Sequence, residues 1–158
     1  MPRSSCGASN REVPAINETI EIGRPPQEVF AYVSDMARHP EWQEKLLAAT
    51  VETEGPTRAG TRVKQTRRVG RGTRTFTLEV TEQDPPNRLA FRGVDGPVRP
   101  QGTITLEPLD GGQRTRYSAQ LDFEGHGLGL LLAPLVRRDA RRQLPDSLQR
   151  LKQKLEAS

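Results

Sequence analysis

TRYSAQLDF, residues 115–123, alternates without a break: Thr115, Tyr117, Ala119, Leu121 and Phe123 fall on one side, Arg116, Ser118, Gln120 and Asp122 on the other. Strict period two is the signature of a half-buried β-strand, because successive strand side chains point to opposite faces. The same period runs through the chain before it. Ile104 and Leu106 alternate ahead of the Leu109-Asp110-Gly111-Gly112 turn, and Leu89 and Phe91 mark a strand between Asp84-Pro85-Pro86-Asn87 and Asp95-Gly96-Pro97. Thr61 to Val69 and Thr73 to Thr81 flank Gly70-Arg71-Gly72, a connection of hairpin length whose glycines can supply positive φ. Leu47, Ala49 and Val51 are expected on one face of a strand that opens at Leu46 and stops before Gly55-Pro56. At the front, Ile16, Ile20 and Ile22 alternate with Asn17, Thr19 and Glu21, which puts Glu18 among the isoleucines.

Two segments depart from period two. Gly23-Arg24-Pro25-Pro26 stops the first strand, and Pro26 suits the first turn of a helix, where its missing N–H would have no partner. Val29, Phe30 and Val33 share a helical face, so a short helix is expected from Pro26 to Ser34, with a second, shorter one between Asp35 and Trp42. The chain then closes with a long amphipathic tail. At 100° per residue, Leu144, Leu148, Leu151 and Leu155 fall within about 60° of one another, a stripe that can pack on a sheet. Leu128, Leu131, Leu132 and Leu135 cluster on nearly the opposite side, so the helix is expected either to be interrupted near Pro134 or to begin as a separate, lid-like segment. Pro145 is expected to bend it. A sheet built first and a terminal helix to cover it predict a curved sheet gripping a helix, with a cavity between them.

The chain has 158 residues and a formal charge of +4, enough for one domain that buries roughly two thirds of the surface of its unfolded form. Cys6 is the single cysteine, which excludes an intrachain disulfide or a thiolate cluster and fits a reducing cytoplasm. Residues 1–14 are expected to form a disordered leader and residues 15–156 a single domain. The longest apolar run, Leu128 to Val136, contains Gly129 and Pro134 and is too short to span a bilayer, which leaves transient contact with a membrane surface open. Charge is segregated: eight acidic and three basic residues lie between Ala15 and Glu54, then seven basic and no acidic ones from Gly55 to Leu78. That ribbon, Arg58 to Arg74, reads as a solvated sheet face or as a surface for nucleic acid. No aromatic residue separates its cations before Phe76, and the stacking platforms of single-strand binders are missing, so nucleic acid is disfavoured.

Few residues carry chemistry. His39 and His126 are the only histidines, without Cys or carboxylate partners at ligand spacing, and neither a metal nor another cofactor is expected. Gly125-His126-Gly127-Leu128-Gly129 lacks the lysine of a phosphate loop and the spacing of a dinucleotide site, and reads as a hinge into the tail. What remains is the inward face of the sheet. With Val63 and Val69 inward, Gln65 and Arg67 share their side, opposite Phe76, Leu78 and Val80 on the neighbouring strand. Tyr117 follows from Leu121 and Phe123, and Glu18 from Ile16 and Ile20. A mostly apolar wall with an arginine, a glutamine, a tyrosine and a glutamate suits an oxygen-bearing apolar ligand. On one reading Arg67 and Tyr117 anchor its carbonyl or carboxylate. On the other these polar groups satisfy one another, Glu18 with Arg67, or reach solvent at the rim.

The first strand, the Pro25-Pro26 start of a helix carrying Val29-Phe30-Ala31-Tyr32-Val33, then Asp35 and Pro40-Glu41-Trp42, resemble the opening of the polyketide cyclase/dehydrase-like branch of the START-related, helix-grip (SRPBCC) superfamily. Gly60-Thr61-Arg62-Val63, Pro85-Pro86-Asn87-Arg88-Leu89-Ala90-Phe91, Gly111-Gly112 and the stretch from Leu151 to Glu156 follow in the same order. The resemblance implies an α+β helix-grip fold: a strongly curved antiparallel sheet of six or seven strands, two short helices, and a long C-terminal helix over the concave face. It implies binding or carriage of a small hydrophobic ligand, polyketide-, lipid- or quinone-like, with Phe91, Leu132 and Val136 completing the lining and His39 and Trp42 at the mouth, where Trp42 reads as a core plug before a ligand platform. The second reading is a polyketide aromatase/cyclase or dehydratase, in which Arg67 and Tyr117 polarise a carbonyl and Glu18 or His39 moves protons.

Overall fold

A computed structural model describes residues 15–157 of the chain; the leader expected over 1–14 lies outside the described residues. Strands β1 (Ile16–Ile22), β2 (Leu46–Val51), β3 (Arg62–Val69), β4 (Gly72–Asp84), β5 (Arg88–Gly93), β6 (Val98–Leu109) and β7 (Arg114–Gly125) make one antiparallel sheet in the order β1-β7-β6-β5-β4-β3-β2. Helix α1 (Pro26–Ser34) and a 3-10 helix (Met36–Glu41) connect β1 to β2, and α2 (Gly129–Ala157) closes the chain. This is the α+β helix-grip arrangement, a curved sheet holding a long C-terminal helix.

The register carries the alternation of the sequence into space. Tyr117 sits opposite Ile20 and Leu106, Ala119 opposite Glu18 and Ile104, and Leu121 opposite Ile16 and Gly102. On the other side of the sheet Val63 faces Leu78, Gln65 faces Phe76, and Val80 faces Phe91. The expectation for β2 needs one correction. A bulge between Leu46 and Ala48 resets the pairing, so Leu46 is buried and Leu47 is exposed, while Ala49 and Val51 turn toward the core. At the β3–β4 hairpin Val69 pairs with Gly72, and Gly70 takes a φ of 61° in the tight turn between them.

The tail is one helix, and the expected break near Pro134 does not occur: α2 runs through both Pro134 and Pro145. Each proline removes one backbone donor. Packing outweighs that loss, because Leu148, Leu151 and Leu155 are all buried where the helix lies on β1, β7 and β6. Both ends of α2 are fastened. Near its C-terminus Glu156 accepts the Gly23 N–H at 2.6 Å, and Lys152 donates to the Glu21 carbonyl at 2.7 Å. At its start the backbone of Gly129 lies against Pro97, so that a Cβ there would stand 1.7 Å from the Pro97 carbonyl oxygen. Gly125 and Gly129 therefore serve close approaches of backbone to backbone, while Gly127 supplies a φ of 60° between them.

Two leucines of α2 give the test of this packing. Leu151→Ala, at a side chain with 0% exposure, is expected to lower unfolding free energy by about 3 kcal/mol. Leu131→Ala, at 76% exposure, should cost less than about 0.5 kcal/mol in the same urea titration. Equal losses would mean that the stripe is assigned to the wrong face.

Candidate functional site

The concave face divides into two zones. In one, Ile22, Leu89, Leu106, Tyr117, Val63 and Val80 are closed off by α1, the 3-10 helix and the C-terminal stripe of α2. In the other, Phe76, Phe91, Ala119 and Leu121 point inward by register yet are only half-buried. Across from β7 stands the first half of α2, tied there by Arg137, which donates to Asp122 at 3.2 Å and to the Phe123 carbonyl at 2.7 Å. Its Val136 is half-buried and Leu132 more exposed still. Protein interiors pack to crystal-like density, so inward apolar side chains that keep exposure mark space left unfilled. Because these side chains keep contact with solvent, that space is an open groove in place of the enclosed cavity expected from the sequence. Two clefts of about 360 and 140 Å³ lie on the outer face, one among Arg62, Arg92, Arg99 and Glu124, the other among Thr19, Arg88, Thr105 and Ser118.

Polar groups on the inward face are few and unequal. Arg67 donates to Gln43 Oε1 at 2.6 Å; burial pulls its guanidinium down to about 10, opposed by Asp139 on α2, and it stays charged at neutral pH. The Glu18–Arg67 pair weighed from the sequence does not form. Glu18 is half-buried on β1 and makes no ion pair among the described residues. Gln65 and Tyr117 are buried with no side-chain hydrogen bond among the described residues, and burial alone pushes the Tyr117 hydroxyl upward. Trp42 Nε1 is a buried donor without a partner. Trp42 and Tyr117 thus present unmatched N–H and O–H groups, which an acceptor oxygen would satisfy.

These groups come from different strands. Tyr117 lies on β7 and Arg67 on β3, four steps apart in the sheet order, and at about 4.8 Å per step that is roughly 19 Å along the sheet. A path of that length along the sheet suits an elongated molecule that meets both.

His39 and Trp42 are not at a mouth. Trp42 is buried in the core, and its ring meets that of His39 edge-on at 5.2 Å. His39 Nε2 lies 2.7 Å from the Val33 carbonyl and donates to it, which leaves Nδ1 unprotonated. Burial pulls the imidazole down to about 4, so it is neutral and a weak base. Nothing in the sequence separated this inward turn from an exposed one, because the 3-10 helix is too short to show a period. Among the described residues no group of three His, Cys, Asp or Glu side chains is placed to hold a metal ion.

The basic ribbon is broken up as well. Arg58 binds the Glu54 and Pro56 carbonyls, Arg62 pairs with Glu79 and Lys64 with Glu52, and Arg67 turns inward. Only Arg68, Arg71 and Arg74 of that run have no side-chain partner among the described residues.

Residues 14–156 match the family described as polyketide cyclase / dehydrase and lipid transport, and the chain belongs to that family. Solved structures with the same fold include the Zhui aromatase/cyclase from Streptomyces sp. R1128, with 17% identity, TM-score 0.77, and coverage of 90% of this chain and 93% of that one. A protein from Thermus thermophilus shares 23% identity at TM-score 0.75, over 91% of this chain and 98% of its own. A START superfamily protein from Mycobacterium smegmatis shares 16% at TM-score 0.74, over 92% and 99%. At these identities the likeness is one of fold. No curated protein matches the chain.

The buried imidazole has a measurable consequence. A histidine held near 4 in the folded state and near 6.5 when unfolded gives stability that is complete above pH 6.5 and is lost as pH falls toward 4, because the unfolded chain takes up the proton first. Urea titrations of the protein should lose about 1.4 kcal/mol per pH unit through this window from His39. His39→Gln should remove that slope, and a slope unchanged in the variant would show that other groups produce it.

Proposed function

We propose that the protein binds or carries a small, elongated hydrophobic molecule with acceptor oxygens, polyketide-, lipid- or quinone-like, in the groove between the first half of α2 and the sheet. The observation that carries this reading is the coincidence of half-buried inward residues, Phe76, Phe91 and Leu121, with donors that lack partners, the buried Trp42 Nε1 and the Tyr117 hydroxyl. The apolar body would lie on Phe91, Leu121, Leu132 and Val136, over a floor that includes Val63 and Leu78. Each Å² of apolar surface removed from water there is worth about 25 cal/mol. Tyr117, two residues along β7 from half-buried Ala119, would donate to an oxygen at one end, and Gln65 and Arg67 at the other, the end on which the 3-10 helix before Trp42 packs, with Glu18 on the β1 side. A cytoplasmic setting and independence from any cofactor are part of the same proposal.

The second reading, a polyketide aromatase/cyclase or dehydratase, is favoured by the likeness to the Zhui aromatase/cyclase. Enol chemistry needs an acid and a base that reach the same carbon. Here His39 is a weak base tied to Val33, and Glu18 lies on the opposite edge strand from β2 and the Arg67 cluster. Carriage therefore ranks first.

Trp42 is the single tryptophan, so its emission reports on the interior. Titration with an anthraquinone, oleic acid and a naphthoquinone is expected to change that emission saturably for at least one of them. Leu121→Asp should weaken the binding about tenfold or more, and Tyr117→Phe about tenfold, each with folding checked by circular dichroism. Binding that ignores Leu121→Asp, or no binding by any of the three, would reject the groove.

A further inference from the structure

Five leucines crowd the start of α2 without being covered. Leu128, Leu130, Leu131 and Leu135 are 77%, 68%, 76% and 63% exposed, and Leu132 is 39% exposed. Gly129 and Ala133 are the positions buried in those turns. At 100° per residue the exposed leucines spread over about 200° of the helix. A helix that packs against one neighbour shows a narrower stripe, and a patch this broad marks an interaction surface.

The topology surrounds this knob with positive charge. The β3–β4 hairpin, the β5–β6 turn and the link from β7 to α2 share one end of the sheet, and the His126 N–H donates to the Pro97 carbonyl at 2.7 Å between the last two. Val69, half-exposed, adds an apolar side chain at the hairpin. Arg68, Arg71 and Arg74 there, and Arg138, Arg141 and Arg142 beyond the leucines on α2, have no side-chain partner among the described residues. The nearby acids are mostly engaged: Asp122 with Arg137, Asp139 with Lys45, Asp95 with the Thr77 N–H, and Glu124 beside His126, while Glu44 is left exposed.

We infer that this end of the molecule docks on an anionic lipid membrane, with the leucines in the boundary of the acyl chains and the arginines among the phosphates. A fluid apolar phase can accept a knob spread over more than half a helix, and its negative surface complements the basic collar. A second copy fits less well, because a two-fold contact would bring the unpartnered arginines of both copies together. The inference goes beyond ligand binding in the groove and does not require it.

The test uses the full chain and vesicles of phosphatidylglycerol and phosphatidylcholine in equal parts, at low ionic strength, read by co-sedimentation. Binding is expected to be about tenfold or more tighter than to phosphatidylcholine alone and to fall with added salt. Leu131→Asp with Leu135→Asp, and separately Arg71→Glu with Arg74→Glu, should each weaken it about tenfold or more. Thermal unfolding should be unchanged in both, since all four side chains are exposed. No binding to the anionic vesicles overturns the inference, and so does binding that ignores the leucine pair, which would be adsorption by charge alone. Self-association that depends on Leu131 and Leu135, without vesicle binding, would assign the patch to a second copy. Docking without ligand uptake, or uptake without docking, separates this inference from the groove.

Discussion

Leu148, Leu151 and Leu155 press the C-terminal part of α2 onto β1, β7 and β6, and the position of that contact governs what the rest of the helix can do. Burying a leucine is worth about 1.5–3 kcal/mol, enough for three such residues to hold a helix that contains two prolines. The stripe ends near Leu144, which is only partly covered. Between there and Gly129 the helix buries only Ala133 and is otherwise held by polar ties, the part-buried Arg137 to Asp122 and the more exposed Lys45 to Asp139, the second of a kind that contributes little. The unfilled groove and the uncovered leucines both belong to this loosely packed half.

The chemistry of the interior points the same way as the fold. Membership of a family that includes cyclases and lipid transporters allows either carriage or catalysis, and a shared fold does not decide between them. The side chains discriminate further. Donors without partners at Trp42 and Tyr117 ask for an acceptor, whereas the imidazole that would have to move a proton is held neutral and donates to a backbone carbonyl. On the proposed reading, an interior with donors for oxygen and few bases suits keeping a molecule better than changing it.

The fold was legible because period two and the helical stripe are local: each depends only on which side of a strand or helix a residue faces. Thr115 to Phe123 lies within β7, and the helix expected over Pro26–Ser34 is found there. The same locality explains the failures. In β2 the adjacent Leu46 and Leu47 could each take the inward place, and only the bulge decides between them. Parity put Arg67 and Tyr117 on the inner face correctly but could not say how far apart across the sheet they sit. The path of α2 through Pro134 is set by tertiary contacts, as is the burial of His39, and neither leaves a periodic trace. Gly129 was read as a hinge, yet the backbone of Pro97 that fills the place of its side chain is distant in sequence.

Glycine at 129 and the hydrogen bond from Gly23 to Glu156 give α2 two moorings, one at each tip. A beam pinned at both extremities can bow along its span but cannot swing away like a door. On the ligand-binding reading, traffic into the groove would then pass the flank of the beam, where Asp139 reaches Lys45 ahead of β2. Breaking that crossbar would change how fast a guest comes and goes while leaving the equilibrium grip of the groove largely as it was.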